Sequence, residues 1–353
     1  MKTYDIKAPT ETDSYSGLFI RDNVGETVSA AGTGGWTNSP DIICAGVEPI
    51  TDPSTITSAT NYAAGLPGGN SQVPGEVNFV YVRGKNVSAP ETSSTVYLYY
   101  APQSLGLLPN GWKTSGIQWN SADGNAANVD DGSNGNILVT TPSFLWTPPT
   151  AHEHYCLVAW ARNGTDQATP PTLPTISTWG DLGNFIIGHK DVAWRNLQEL
   201  TADTNVFRQT VPIDNPPQGG EVSVGLEFDN VPADGTWQFT IPMETGPAYQ
   251  QSGTVEELSK QPYFVAFPVT LPADWTTSMT FSYTPPEGVL IPQDASIEPL
   301  VIAGITDPSV DVLRTHAPQR LVQLAGVSPE LDKENIQHGM VVGSIRFKLK
   351  PDS

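Results

Sequence analysis

The chain has 353 residues, 38% of them hydrophobic and only 15% charged, with a formal net charge of −20. That charge excludes a nucleic-acid backbone or an anionic membrane surface as partner, since both demand clustered Lys and Arg. No run of 18 apolar residues exists, which excludes a transmembrane helix, and 32 Gly with 32 Pro exclude long helices in favour of short strands joined by turns.

The acid is spread evenly. Residues 1–190 hold 16 Asp+Glu against 8 Lys+Arg, and residues 191–353 hold 21 against 9. This pattern serves solubility rather than forming a tail. The start, MKTYDIKAPTETDSYSGLFIRDN, lacks the apolar core of a signal peptide. The Thr/Ser/Asn/Pro-rich, Lys-poor composition favours an extracellular place reached by a signal-less route over a cytoplasmic one.

Residues 1–38 read as an extended arm, whose one short apolar run in GLFIRDNVGE needs a sheet to dock on. SPDIICAG then opens the first core strand. EVNFVYVRGKN alternates: Val77, Phe79 and Tyr81 share one face, Asn78, Val80 and Val82 the other. STVYLYYAP repeats this, with Val96, Leu98 and Tyr100 opposite Tyr97 and Tyr99. The stretch 121–136 is nearly free of apolar residues and reads as an exposed loop. ILVTTPSFLWTPP and HYCLVAWARN supply further strands, which makes residues 39–165 a sandwich of immunoglobulin type.

Residues 166–190 read as a Pro/Thr-rich linker, with Thr178 and Asp181 starting a single helical turn before Gly188. The second domain, 191–353, opens with DVAWRNLQEL as a strand. EVSVGLEFDNV, GTWQFTIPM, YFVAFPVTLP, SMTFSYTPP and GSIRFKLKP continue with period-two alternation. Two stretches look helical: 254–261, where Thr254 and Glu257 have capping-box spacing, and part of 307–326, split by Pro318. The expected class is all-β: two tandem antiparallel β-sandwich domains, the first immunoglobulin-like, with few short helices.

SPDIICAG, NFVYVRGKN, TVYLYYAP, HEHYCLVAWARN and DVAWRNL together resemble the strand motifs of bacterial immunoglobulin-like modules of the cell-adhesion-related, CARDB-like kind. The resemblance covers about residues 39–196. Gly84 departs from it where the pattern continues apolar, and implies an early strand end or bulge. The resemblance implies adhesion, display or a spacer role, and offers no catalytic residues.

Each candidate site also has a plain packing account. His152, His154 and Cys156 alternate on one strand face, the pattern of a metal site or a nucleophile–base pair. Strand rise holds the outer two about 13 Å apart, too far for one ion. Cys156 opens an apolar run, where burial raises a thiol pKa. Asp123, Asp130 and Asp131, with Asn125, Asn128 and Asn134, offer oxygen ligands for Ca²⁺, but the EF-hand order is missing and these residues also favour turns. Tyr97 and Tyr99 are candidate binding-surface rings if their face is exposed. Cys44 and Cys156 read as two separate thiols in preference to a bridge across the sandwich.

No nucleophile elbow, P-loop or dinucleotide fingerprint is present. The expected function is therefore a non-enzymatic binding or structural protein without a cofactor. It would be an adhesion, display or accessory module in a larger surface, secretion or toxin assembly, and its ligand a protein partner, a second copy or a glycan. The alternatives are a metal- or carboxylate-dependent hydrolase with an interdomain site, and a virion or phage-tail structural protein.

Overall fold

A computed structural model describes every residue except 1, 10–14, 30–35, 66–71, 89–92, 121, 130–131, 151–153, 165–167, 198–199, 203–206, 257–261 and 350–353, and the side chains of 123 and 200–202. The first half holds β1 (Thr3–Tyr4), β2 (Leu18–Phe19), β3 (Ile42–Cys44), α1 (Ala59–Ala64), β4 (Asn78–Asn86), β5 (Ser94–Pro102), β6 (Ile117–Trp119), β7 (Ala122–Asp123) and β8 (Ala126–Val129). It continues through β9 (Ile137–Val139), β10 (Phe144–Trp146), β11 (Tyr155–Asn163), α2 (Trp179–Gly188) and β12 (Val192–Asn196). The second half holds β13 (Leu200–Ala202), β14 (Phe207–Asp214), β15 (Gly220–Asp229), β16 (Thr236–Ile241), β17 (Tyr249–Thr254), β18 (Tyr263–Leu271) and β19 (Thr276–Thr284). It closes with β20 (Ser296–Ile305), α3 (Asp307–His316), β21 (Leu321–Gln323), α4 (Pro329–Lys333), β22 (His338–Ser344) and β23 (Phe347–Leu349).

These elements form an all-β molecule of two sandwiches with four short helices among the described residues. In the first, a seven-stranded outer sheet centred on β4 and β10 faces a four-stranded inner sheet, β12-β11-β5-β8. In the second, an eight-stranded large sheet, with β13-β23-β20-β15-β18 as its main path, faces a four-stranded small sheet, β14-β19-β16-β17. Pairing is antiparallel except where β1 joins β20 and β13 joins β23.

The alternation read from the sequence builds the first core. Val80, Val82, Val96, Leu98 and Tyr100 meet Leu157, Phe144 and Trp146 between the two sheets. Phe79 and Tyr81 point outward, with Tyr81 under Ile43 and Ile56 in a small satellite cluster. Near it the fold buries an ionic knot. Asp41 is fully buried between Arg21 (Nη2 to Oδ1, 2.7 Å) and Arg83 (Nε to Oδ1, 3.0 Å), and Arg21 lies 3.5 Å over the Tyr62 ring. Such a knot is favourable only while complete, because removing one partner leaves a desolvated charge.

The inner sheet is buried on both faces. Tyr97, Tyr99, Cys156, Val158, Trp160 and Trp194 turn away from the first core into a second, larger one, which runs on into the second sandwich. Between the two stands α2. Its capping box is complete: Thr178 Oγ1 accepts from the Asp181 N–H at 3.1 Å, and the Asp181 carboxylate accepts from the Thr178 N–H at 2.9 Å. Trp179, Leu182, Phe185, Ile186 and Ile187 are all buried, so this helix welds the sandwiches together. That corrects the expectation of a linker with one helical turn. The apolar run 185–187 gives the helix a buried face on both flanks, and it therefore extends over ten residues.

Three more expectations change. β12 pairs with β11, so 192–196 belongs to the first sandwich rather than opening the second. β4 runs unbroken through Gly84, where an added Cβ would lie 2.8 Å from the Phe19 carbonyl oxygen; the glycine admits the close approach of β2. The stretch 121–136 is not wholly loop, because β8 joins the edge of β5 with Ala127 and Val129 buried. The arm splits its docking: β2 pairs with β4 of the first sandwich and β1 with β20 of the second.

Candidate interaction surface

The small sheet ends in β17, sequence YQQSGT, which among the described residues pairs only with β16. Its burial alternates: Tyr249, Gln251 and Gly253 turn inward and are half-buried, while Gln250, Ser252 and Thr254 are exposed. Gly253 has to be glycine, because an added Cβ would lie 2.8 Å from the Trp237 ring. The large sheet ends on the same side in β18, which pairs only with β15 among the described residues.

Aromatic rings fill the seam between these two edges. Phe239 of β16 lies 5.9 Å from Phe267 of β18 and 6.3 Å from Tyr249 of β17, and Trp237 lies 6.0 Å from Phe267. Tyr263 continues the row against Phe228 at 5.9 Å. Phe267, Tyr249 and Tyr263 are each half-exposed, so the seam shows aromatic surface to solvent. Both phenols sit above their ordinary pKa, through burial first and then through the nearby carboxylates Glu330 (Tyr249) and Glu256 (Tyr263). At the sandwich end where β19 gives way to β20, Leu290 is 74% exposed and is the barest large hydrophobic residue described.

The two edges differ in protection. β18 carries Pro268, a residue that blunts an edge because it has no N–H to offer. β17 has no proline, no charge and no bulge in its ladder. Its outer backbone groups, unpaired among the described residues, are an open template for another strand. The surroundings are acidic: residues 209–313 hold 14 Asp+Glu and a single basic residue, Lys260. Exposed Glu244 and Glu256 flank β17 in sequence.

The residues singled out from sequence lie elsewhere. Tyr97 and Tyr99 are 3% and 5% exposed and face the core against α2, Tyr99 within 5.6 Å of Trp112, so neither ring is a surface ring. Burial raises the Tyr99 phenol to about 12. Cys156 is fully buried in the same core, and burial pushes its thiol well above the ordinary range. His154 is half-buried just before β11, and its carbonyl accepts from the Gln103 N–H at 3.2 Å. His189 is at the other end of that strand, beside Trp160 and Asp191, about 20 Å away by strand rise. The structure therefore does not bring the two together. Asn125 donates to the Leu98 carbonyl and Asn128 accepts from Thr95, which uses both in holding β8. His152, Asp130, Asp131 and the Asp123 side chain lie outside the described residues. Among the described residues, no three His, Cys, Asp or Glu side chains are placed to share a metal.

Sequence reasoning missed β17 altogether. One aromatic residue among five small or polar ones carries no strand signal, and the spacing of Thr254 and Glu257 points to a helix start. Thr254 instead ends the strand, and 257–261 lies outside the described residues.

The sequence matches no protein-family model, and no curated protein matches it. The CARDB-like resemblance thus reduces to a shared β-sandwich style. Among solved structures, the collagen adhesin CNA of S. aureus aligns at 8% identity over 65% of this chain and 82% of that one, with a TM-score of 0.17. The collagen-binding domain of the Erysipelothrix rhusiopathiae surface protein RspB aligns at 10% identity over 78% and 92%, with a TM-score of 0.16. At such scores neither likeness bears on what this chain binds.

Proposed function

We propose that this chain is a non-enzymatic binding module that captures an extended, basic segment of a protein partner by adding it as a strand to β17. The observation that carries this reading is the edge of β17, unpaired among the described residues, beside a half-exposed aromatic row in an acid-rich sandwich. Main-chain hydrogen bonds along the edge supply affinity, and the alternate side chains of the guest supply specificity. Lys and Arg in the guest meet Glu244 and Glu256. The welded sandwiches give the edge a rigid mount, so little ordering is spent on binding.

The test uses a synthetic peptide of alternating Lys and Val, with an alternating Glu and Val peptide as control. Hydrogen exchange is followed residue by residue on the full chain. The basic peptide should slow exchange of the β17 amides, the acidic one should not, and Gln250→Pro should abolish the protection. Protection that maps elsewhere, or that survives Gln250→Pro in a folded variant, overturns the reading.

A further inference from the structure

A cavity of about 220 Å³ lies on the outer face of the large sheet, where Trp36 of the arm and the turn Pro318–Arg320 close over it. Pockets for drug-sized ligands begin at roughly 300 Å³, so this one takes a small group. Strand register sets its floor. Glu227 of β15 stands directly opposite Glu298 of β20, and Leu300 of β20 directly opposite Ser344 of β22. Glu298 and Leu300 are two apart on one strand and share a face, so all four side chains line the cavity together. Val322 and Val341 complete an apolar wall with Leu300.

The polar atoms divide into two sets. Trp36 Nε1, Gln319 Oε1 and Arg320 Nη1 are sealed within the roof, out of a ligand's reach. The floor differs. Glu298 accepts from Arg346 Nε through Oε2 at 3.0 Å. Its Oε1, the Glu227 carboxyl and the Ser344 hydroxyl have no hydrogen bond among the described residues, and none of them is sealed. Ser344 is only 3% exposed, so what its hydroxyl faces is the cavity. Nor do the charges cancel. Arg346 answers one glutamate, and Asp22 answers Arg320 at 2.8 Å, which leaves one carboxylate over.

We propose that this cavity binds a primary ammonium on a short aliphatic stem, supplied by a free amine or by a lysine side chain. Such a group brings three N–H donors and one positive charge to three open acceptors and one surplus negative charge. Its stem covers Leu300, Val322 and Val341. A carboxylate ligand would meet both glutamates. Calcium takes about six to eight oxygens, more than the floor offers. The edge of β17 plays no part in this site, so the two readings stand or fall separately.

The experiment is a methyl NMR titration of the full chain with n-butylammonium, with butanoate and tetramethylammonium as controls. The reporters are the Val322 and Val341 methyl resonances, each identified by its loss on substitution with isoleucine. n-Butylammonium should shift both saturably; butanoate has the wrong charge and tetramethylammonium has no N–H, so neither should. Glu227→Gln should weaken binding about tenfold and Ser344→Ala about threefold, with the chain still folded. Burial first, then Glu298, raises the Glu227 carboxyl to about 7, and an alkylammonium of the lysine type stays charged to about pH 10. Affinity should therefore rise with pH up to about 7 and then level off, and in Glu227→Gln this rise should vanish. Nα-acetyl-lysine methylamide separates the sources: a shift with it as well supports a partner's lysine, and a shift with n-butylammonium alone supports a free amine. The proposal is overturned by no response to either amine, by an equal response to a control, or by unchanged affinity in either variant.

Discussion

Cys44 and Cys156 are both fully buried, yet they lie on opposite sides of one sheet. Cys44 points into the core between the two sheets of the first sandwich, and Cys156 points out of that sandwich into the core around α2. The inner sheet stands between them, so no bridge forms.

This arrangement makes both thiols inert. Burial pushes Cys44 up to about 11 and Cys156 further, so neither is a thiolate near neutrality. Titration with a thiol-specific chromophore at pH 8 should find no reactive thiol in the native chain and two after denaturation. One fast-reacting thiol in the native state would contradict it.

The two sandwiches should melt as one. Phe185 of α2 packs against Trp112, Trp160 and Trp194 of the first, while α2 rests on β20 and β22 of the second. Phe185→Ala should cost about 3–5 kcal/mol and lower a single calorimetric transition. Two separate transitions in the wild type would show that the weld is not cooperative.

Gly343 of β22 should tolerate no side chain. An added Cβ would lie 1.4 Å from the carbonyl oxygen of Leu105, a backbone atom of the first sandwich that cannot swing aside. Gly343→Ala should destabilise by at least roughly 2 kcal/mol in denaturant melts. Gly188→Ala, with open space around it, serves as the neutral control.

Glu227 should make stability fall as pH rises. Burial first, then Glu298 and Asp229 against Arg346, raise its pKa from 4.5 to about 7. Between those values the folded chain holds a proton that the unfolded chain has released. The contribution is therefore complete below about pH 4.5 and lost by pH 7, at a cost of no more than roughly 3 kcal/mol. Glu227→Gln should raise Tm at pH 8 and leave it nearly unchanged at pH 4.5. An equal effect at both would contradict the assignment.

The sequence by itself determined the class. Period-two alternation in 78–86 and 94–102 placed Val80, Val82, Val96 and Leu98 in one core, and Thr178 with Asp181 announced α2. These signals are local, because side-chain direction along a strand and a helix cap depend only on near neighbours. The tertiary structure decided what lay on the second face of each strand. Tyr97, Tyr99 and Cys156 alternate just as surface residues would, and only the position of α2 buries them. The bare edge of β17 was illegible for the same reason: an unpaired backbone is a property of which strands come together, and no residue in YQQSGT encodes it.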